Sequence, residues 1–123
     1  MNAAALESFV EQFQLEGKPL IAPGRVAEAF ELQLQDLANL AGVHRATLRE
    51  APSNVRLQTF MREALRIIAI AKEISGDQSK AIFWFRNEPL RDFGFVTAEK
   101  MVSEGKADAV ANYLRSIEAG SSG

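Results

Sequence analysis

Apolar residues recur at three- and four-residue intervals along most of the chain, the spacing that gathers them on one face of an α-helix. Leu6, Phe9, Val10 and Phe13 mark a first amphipathic helix, ended by Gly17 and Pro19. Pro23 and Gly24 precede a second, which carries Val26, Ala27 and Phe30 and reaches Leu32 at the furthest. Leu34, Leu37, Ala38 and Ala41 line a third, and Gly42 stops it. His44 or Arg45 opens a fourth that ends near Pro52. Ser53 or Asn54 can cap the next helix by accepting from its free N–H groups. That helix is the longest, from about Val55 to Ile74. Its Leu57, Phe60, Met61, Ala64, Leu65, Ile67, Ile68, Ala71 and Ile74 cover more than one stripe, so it is expected to lie between two surfaces. One surface is the N-terminal helical unit, and the other is the C-terminal segment or a second subunit. Gly76 ends it, and Asp77 caps a helix through Phe85. Asn87 to Pro89 form a turn, and Phe93-Gly94-Phe95 an apolar elbow. Thr97 caps a short helix that ends at Gly105. A final helix places Ala107, Val110, Tyr113, Leu114 and Ile117 on one face and stops at Gly120, leaving Ser121, Ser122 and Gly123 to fray. No segment alternates as a strand does, so the fold expected is all-α, divided near Ser75-Gly76-Asp77.

Residues 34–53, LQDLANLAGVHRATLREAPS, have helix-turn-helix spacing. Small Ala38 lets two helices cross closely, and Gly42 can take the positive φ of a tight turn. Val43 and Leu48 pin the second helix to the core, which frees its other face for a DNA major groove. Arg45 and Arg49, four apart, share that face with His44 and Ala46. Arginine can fork onto guanine or clamp a phosphate. Thr47 points sideways toward a phosphate, and Gln35 stands by the positive end of the preceding helix. The competing reading is a polar surface helix that happens to carry two arginines, and Glu50 favours it by repelling phosphate.

Composition narrows the function. The chain has 123 residues, 47% of them hydrophobic, enough for one compact domain or two very small ones. Its formal net charge is −2, whereas dedicated DNA-binding domains are usually basic, so any DNA contact must come from a local patch. It contains no cysteine, which excludes disulfides and thiolate chemistry and fits a reducing cytoplasm. The N-terminal residues lack the pattern of a signal peptide, and no run approaches the roughly 18 apolar residues of a membrane span. His44 is the only histidine, so it reads as a turn residue or phosphate contact and not as a metal ligand. No nucleophile elbow or phosphate-cradling glycine loop is present. The expectation is a protein with no catalytic residues, no metal and no cofactor, and not an enzyme.

Phe83, Trp84 and Phe85 stand in a row, and Phe93 and Phe95 follow closely. A helix cannot turn three consecutive rings toward one core, so one side meets a partner or another part of the chain, or the helix is buried on both sides. The same region carries a family resemblance. Trp84, then Asn87, Pro89 and Leu90, then a short helix from Thr97 to Glu104, then Val110, Leu114, Ile117 and Gly120 form a characteristic series. With the helix-turn-helix before it, this series resembles the Xre/MbcA/ParS antitoxins of bacterial RES-type toxin–antitoxin pairs, over about Val26 to Gly120. Where that family often has Gly-x-x-Pro-Leu, this chain has Phe93-Gly94-Phe95-Val96.

The resemblance implies an N-terminal Cro-like helix-turn-helix unit in residues 1–75, joined by the long helix to a small helical toxin-binding domain in residues 76–123. It implies an antitoxin that covers the active site of a cognate NAD-consuming RES-domain toxin and represses its own operon as a homodimer on operator DNA. The DNA-binding set would be Gln35, His44, Arg45, Ala46, Thr47 and Arg49. Toxin contact would fall to Arg86, Asn87, Glu99, Arg115 and the chain after Gly120 as polar groups, with Trp84, Leu90 and Phe95 as apolar anchors. The surplus apolar face of the long helix would be the dimer seam. The alternatives are a stand-alone helix-turn-helix regulator with a C-terminal dimerisation domain, and an interaction module that uses the helix-turn-helix only as a fold.

Overall fold

Four helices in this chain begin where a side chain accepts from a free backbone N–H. The computed structural model describes residues 1–121. The Asn2 carboxamide accepts from Ala5 at 2.8 Å at the start of α1 (Ala3–Glu11). Asn54, not Ser53, caps α5 (Val55–Ser75), accepting from Leu57 at 3.1 Å. Asp77 caps α6 (Gln78–Asn87) through Lys80 at 2.8 Å, and Thr97 caps α7 (Ala98–Ser103) through Lys100 at 3.1 Å. Three helices start without a side-chain cap: α2 (Pro23–Phe30), α3 (Leu34–Ala41) and α4 (Arg45–Glu50). The last helix is α8 (Ala107–Ser121). A single 3-10 turn, Arg91–Phe93, separates α6 from α7. Among the described residues the fold is all-α, and the only sheet-like pairings are two isolated bridges, Gln14 with Ile21 and Leu90 with Val96.

The element boundaries follow the sequence closely, with a few local differences. Phe13 is buried but lies beyond the end of α1, where the chain turns back through the Gln14–Ile21 bridge. Gln58 of α5 clamps this loop, donating to the Ile21 carbonyl at 2.9 Å and accepting from the Ile21 N–H at 3.0 Å. α2 ends before Leu32, at Glu31 in the left-handed region (φ 56°). α6 continues two residues past Phe85, and α8 runs through Gly120 to Ser121. The fraying expected of Ser122 and Gly123 lies outside the described residues.

α5 is the centre of the molecule. It packs against α1 and α3 from the first half of the chain and against α6, α7 and α8 from the second. Leu57, Phe60, Met61, Ala64, Leu65 and the run from Ile67 to Ala71 are all buried. The two-sided apolar pattern therefore has an intramolecular cause, and the expectation that its surplus face is the dimer seam is corrected. That face is already covered by the second half of the same chain. One cluster of buried residues extends from Phe9 to Leu114. It includes residues on both sides of Gly76, and the Phe30 and Phe85 rings meet edge-on with centroids 5.9 Å apart. Ser103 of α7 donates to the Leu40 carbonyl of α3 at 2.7 Å. The corner separates two helices without dividing the core.

Candidate functional site

The turn between α3 and α4 is closed by backbone. Gly42 takes φ 72°, its N–H donates to the Asn39 carbonyl at 3.2 Å, and the Val43 N–H donates to the Ala38 carbonyl at 3.0 Å. Positive φ is what glycine supplies without strain. Ala38 has no exposed surface, and Leu48 is buried, so α4 is held to the core from beneath. His44, Arg45, Ala46, Arg49 and Glu50 point outward and are exposed, while Thr47 is half-buried.

Five of the six residues expected at DNA surround two grooves that share Arg45 and Ala46. Gln35, His44, Arg45 and Ala46 line one of about 720 Å³. Arg45, Ala46, Arg49 and Glu50 line the other, of about 410 Å³, with Pro23 and Gly24 of α2 at its edge. Thr47 lines neither groove. Asn39 belongs to the first groove and was not picked out from the sequence. Its signal was present, because it lies one helical turn after Gln35, and Gln35 Nε2 donates to its Oδ1 at 2.9 Å. His44 occupies the N-cap position of α4 but makes no capping hydrogen bond. The N–H groups that open α3 and α4 are thus not taken up by cap side chains, and a helix start carries partial positive charge.

The residues expected at the toxin do not form one cluster. Arg86 and Glu99 come together internally, Nε to Oε2 at 2.9 Å, and Arg86 Nη1 donates to the Phe30 carbonyl at 2.7 Å. Burial pushes the Glu99 carboxyl above its ordinary range; Arg86 opposes that shift and the charge of Asp36 adds to it. Leu90 is 2% exposed and Trp84 is half-buried against the core. These four side chains are therefore part of the packing. Asn87 is exposed and donates to the Phe83 carbonyl at 3.0 Å. Phe95 is 68% exposed and sits in the left-handed region at φ 66°. Phe83, which the sequence reading left out of the contact set, is 69% exposed. Its position in a row of three rings was the available signal, since Phe85 faces the core and Phe83 cannot. Arg115 lies elsewhere, beside Met1 and Glu73 at a groove of about 280 Å³. Gly120 is exposed in the last turn of α8.

No family model, curated protein or solved structure matches the chain. No helix among the described residues is long and apolar enough to cross a membrane. Among the expected site residues, most of those left exposed gather on the grooved outer side of α3–α4 and in the 83–95 segment.

Proposed function

We propose that this protein is a DNA-binding antitoxin, with α3–Gly42–α4 as its helix-turn-helix and the Phe83–Phe95 segment as part of a surface for a RES-domain toxin. The observation that carries the DNA reading is the division of α4. Leu48 is buried beneath the helix while Arg45, Ala46 and Arg49 all face outward beside two grooves. A recognition helix needs that arrangement, because its inner face must be fixed before its outer face can read base edges. Uncapped starts of α3 and α4 offer N–H groups to phosphates. The net charge of −2 requires the attraction to be local, so these few groups carry it. In this reading the protein is cytoplasmic, acts on operator DNA as a homodimer, and needs no cofactor.

The toxin reading rests on the resemblance of the 84–120 segment together with the exposed rings of Phe83 and Phe95. The same rings would also suit the C-terminal dimerisation domain of a stand-alone regulator. Co-expression with a RES-domain toxin separates the two, since only an antitoxin restores growth.

The DNA reading is tested with Arg45→Ala plus Arg49→Ala, measuring affinity for the DNA upstream of the coding sequence across a salt series. Each arginine on a base or phosphate contributes roughly 1–3 kcal/mol. The expected result is a loss of at least about tenfold and a salt slope smaller by about two. Unchanged affinity and slope would remove α4 from the DNA interface.

A further inference from the structure

We infer that Glu50 reads cytosine, so that this acid helps to select the operator. The inference deepens the DNA reading above and rests on it. Glu50 lines the groove of about 410 Å³ together with Arg45, Ala46 and Arg49, and all four are exposed. None of the three charged side chains has a hydrogen bond or ion pair among the described residues. Glu50 is the last residue of α4, at the negative end of that helix, where an acid gains nothing from the helix dipole. Pro23 and Gly24 open α2 at the edge of the same groove, yet no N–H of α2 donates to the Glu50 carboxylate. The fold thus gives this acid no internal partner. It stands in the groove as a free acceptor beside the free donors of Arg45 and Arg49.

Base edges offer a carboxylate few partners. In the major groove the only donors are cytosine N4 and adenine N6. Adenine N6 is flanked by acceptors on both sides, its own N7 and the O4 of the paired thymine, and both repel a carboxylate. Cytosine N4 has an acceptor on one side only, the O6 of its paired guanine, and an arginine takes O6 and N7 together. A G·C pair therefore suits a helix face that carries arginine and glutamate together. The order of the side chains around α4 fits this. At 3.6 residues per turn, Arg45 and Glu50 stand about 140° apart, with Arg49 and Ala46 between them. A helix in the major groove has one strand on either side. The arginines can take guanine on one strand while Glu50 takes cytosine on the other, and the small side chain of Ala46 lets the helix enter between them. Phosphate repulsion by Glu50 then weakens binding to all DNA, and the cytosine contact offsets it only at the right site.

Selection of sites from a pool of random DNA duplexes by the full chain tests this, with Glu50→Gln and Glu50→Ala selected in parallel. Wild type is expected to enrich a site with one position where cytosine is preferred at least about fivefold. Glutamine pairs with adenine N6 and N7, so Glu50→Gln is expected to move that one position to adenine. Glu50→Ala is expected to lose the preference there, keep the rest of the site, and bind unselected DNA more tightly. Glu50 is exposed at a helix end, so both variants are expected to keep the wild-type melting temperature. If wild type and both variants select the same base at every position, and the variants are merely tighter throughout, the inference is overturned and the DNA reading stands. Glu50 would then only repel phosphate. A wild type that retains no DNA from the pool would sink the DNA reading itself.

Discussion

Arg86 joins the two halves of the chain. Its Nη1 meets the carbonyl of Phe30, the last residue of α2, and its Nε meets Glu99 of α7. A helix end leaves carbonyls without partners, and a cation there is favourable. Replacing Arg86 by Ala leaves the Phe30 carbonyl short of a donor and a buried carboxylate without its counter-charge. Breaking a buried pair from one side costs about 3 kcal/mol or more, and that is the loss expected at pH 7 in urea unfolding. The deficit should depend on pH. Burial already raises the native Glu99 carboxyl above its ordinary range, and removing Arg86 raises it further. A raised carboxyl takes up its proton in the folded state at a pH where the unfolded chain has released it. The stability linked to that proton is therefore present below the unfolded value, about 4.3, and is lost as pH rises through the native value. Arg86→Ala should recover part of its deficit between pH 7 and pH 5, and an equal deficit at both would remove Glu99 from the account. None of this was legible in the sequence. Arg86 and Glu99 stand thirteen apart in two different helices, and polar residues on helices read as surface until a fold brings them together.

Short elements show what a sequence encodes through glycine and what it does not. The elbow from Leu90 to Val96 was legible as a turn because Gly94 marks it. Its detailed shape was not, because Phe95 also takes a positive φ, 66°, right after Gly94 at 72°. The backbone holds it there: the Phe95 N–H donates to the Leu90 carbonyl at 2.8 Å, and the Leu90 N–H to Val96 at 2.9 Å. The left-handed region costs a non-glycine residue roughly 1–2 kcal/mol, and a ring that is 68% exposed recovers little of it by burial. Strain maintained around an outward-facing ring points to a contact made by that ring. Phe95→Gly should therefore leave the melting temperature unchanged or raise it by the equivalent of up to about 1 kcal/mol, after glycine's own entropy cost. In the proposed antitoxin it should also weaken toxin neutralisation at least tenfold, read as growth rescue in titrated co-expression. A lower melting temperature would mean the ring holds the elbow together, and undiminished rescue would take Phe95 off the partner surface. α5, by contrast, was readable almost to the residue, since a polar cap, a long apolar periodicity and a terminal glycine all mark the same helix.

At the scale of the whole molecule, the two apolar faces of α5 were visible in the sequence, but the choice between the C-terminal segment and a second subunit for one of them was not, because periodicity shows that a face is covered and not by which chain. Gly76 read as a domain boundary for a related reason. A glycine in the left-handed region, here φ 78°, ends a helix whether or not a core ends with it. Phe85, Leu90, Met101, Val102, Val110 and Leu114 of the second half are all buried in the common cluster. At about 1.5–3 kcal/mol for each large side chain, six of them contribute roughly 9–18 kcal/mol. A fragment ending at Ser75 would expose one face of α5 and should not fold alone, whatever its reader helices could do in the intact chain. The full chain should instead unfold in one cooperative step. The single tryptophan, Trp84, reports on α6 in the second half, while far-ultraviolet circular dichroism reports on helices in both. Urea transitions followed by the two signals should coincide in midpoint and slope. An earlier tryptophan transition would mean that α6–α8 can leave while α1–α5 stay folded, and the proposed DNA and toxin surfaces would then belong to separable units. Coincidence would mean that a partner seated on the 83–95 segment and DNA seated on α4 act on one cooperative body.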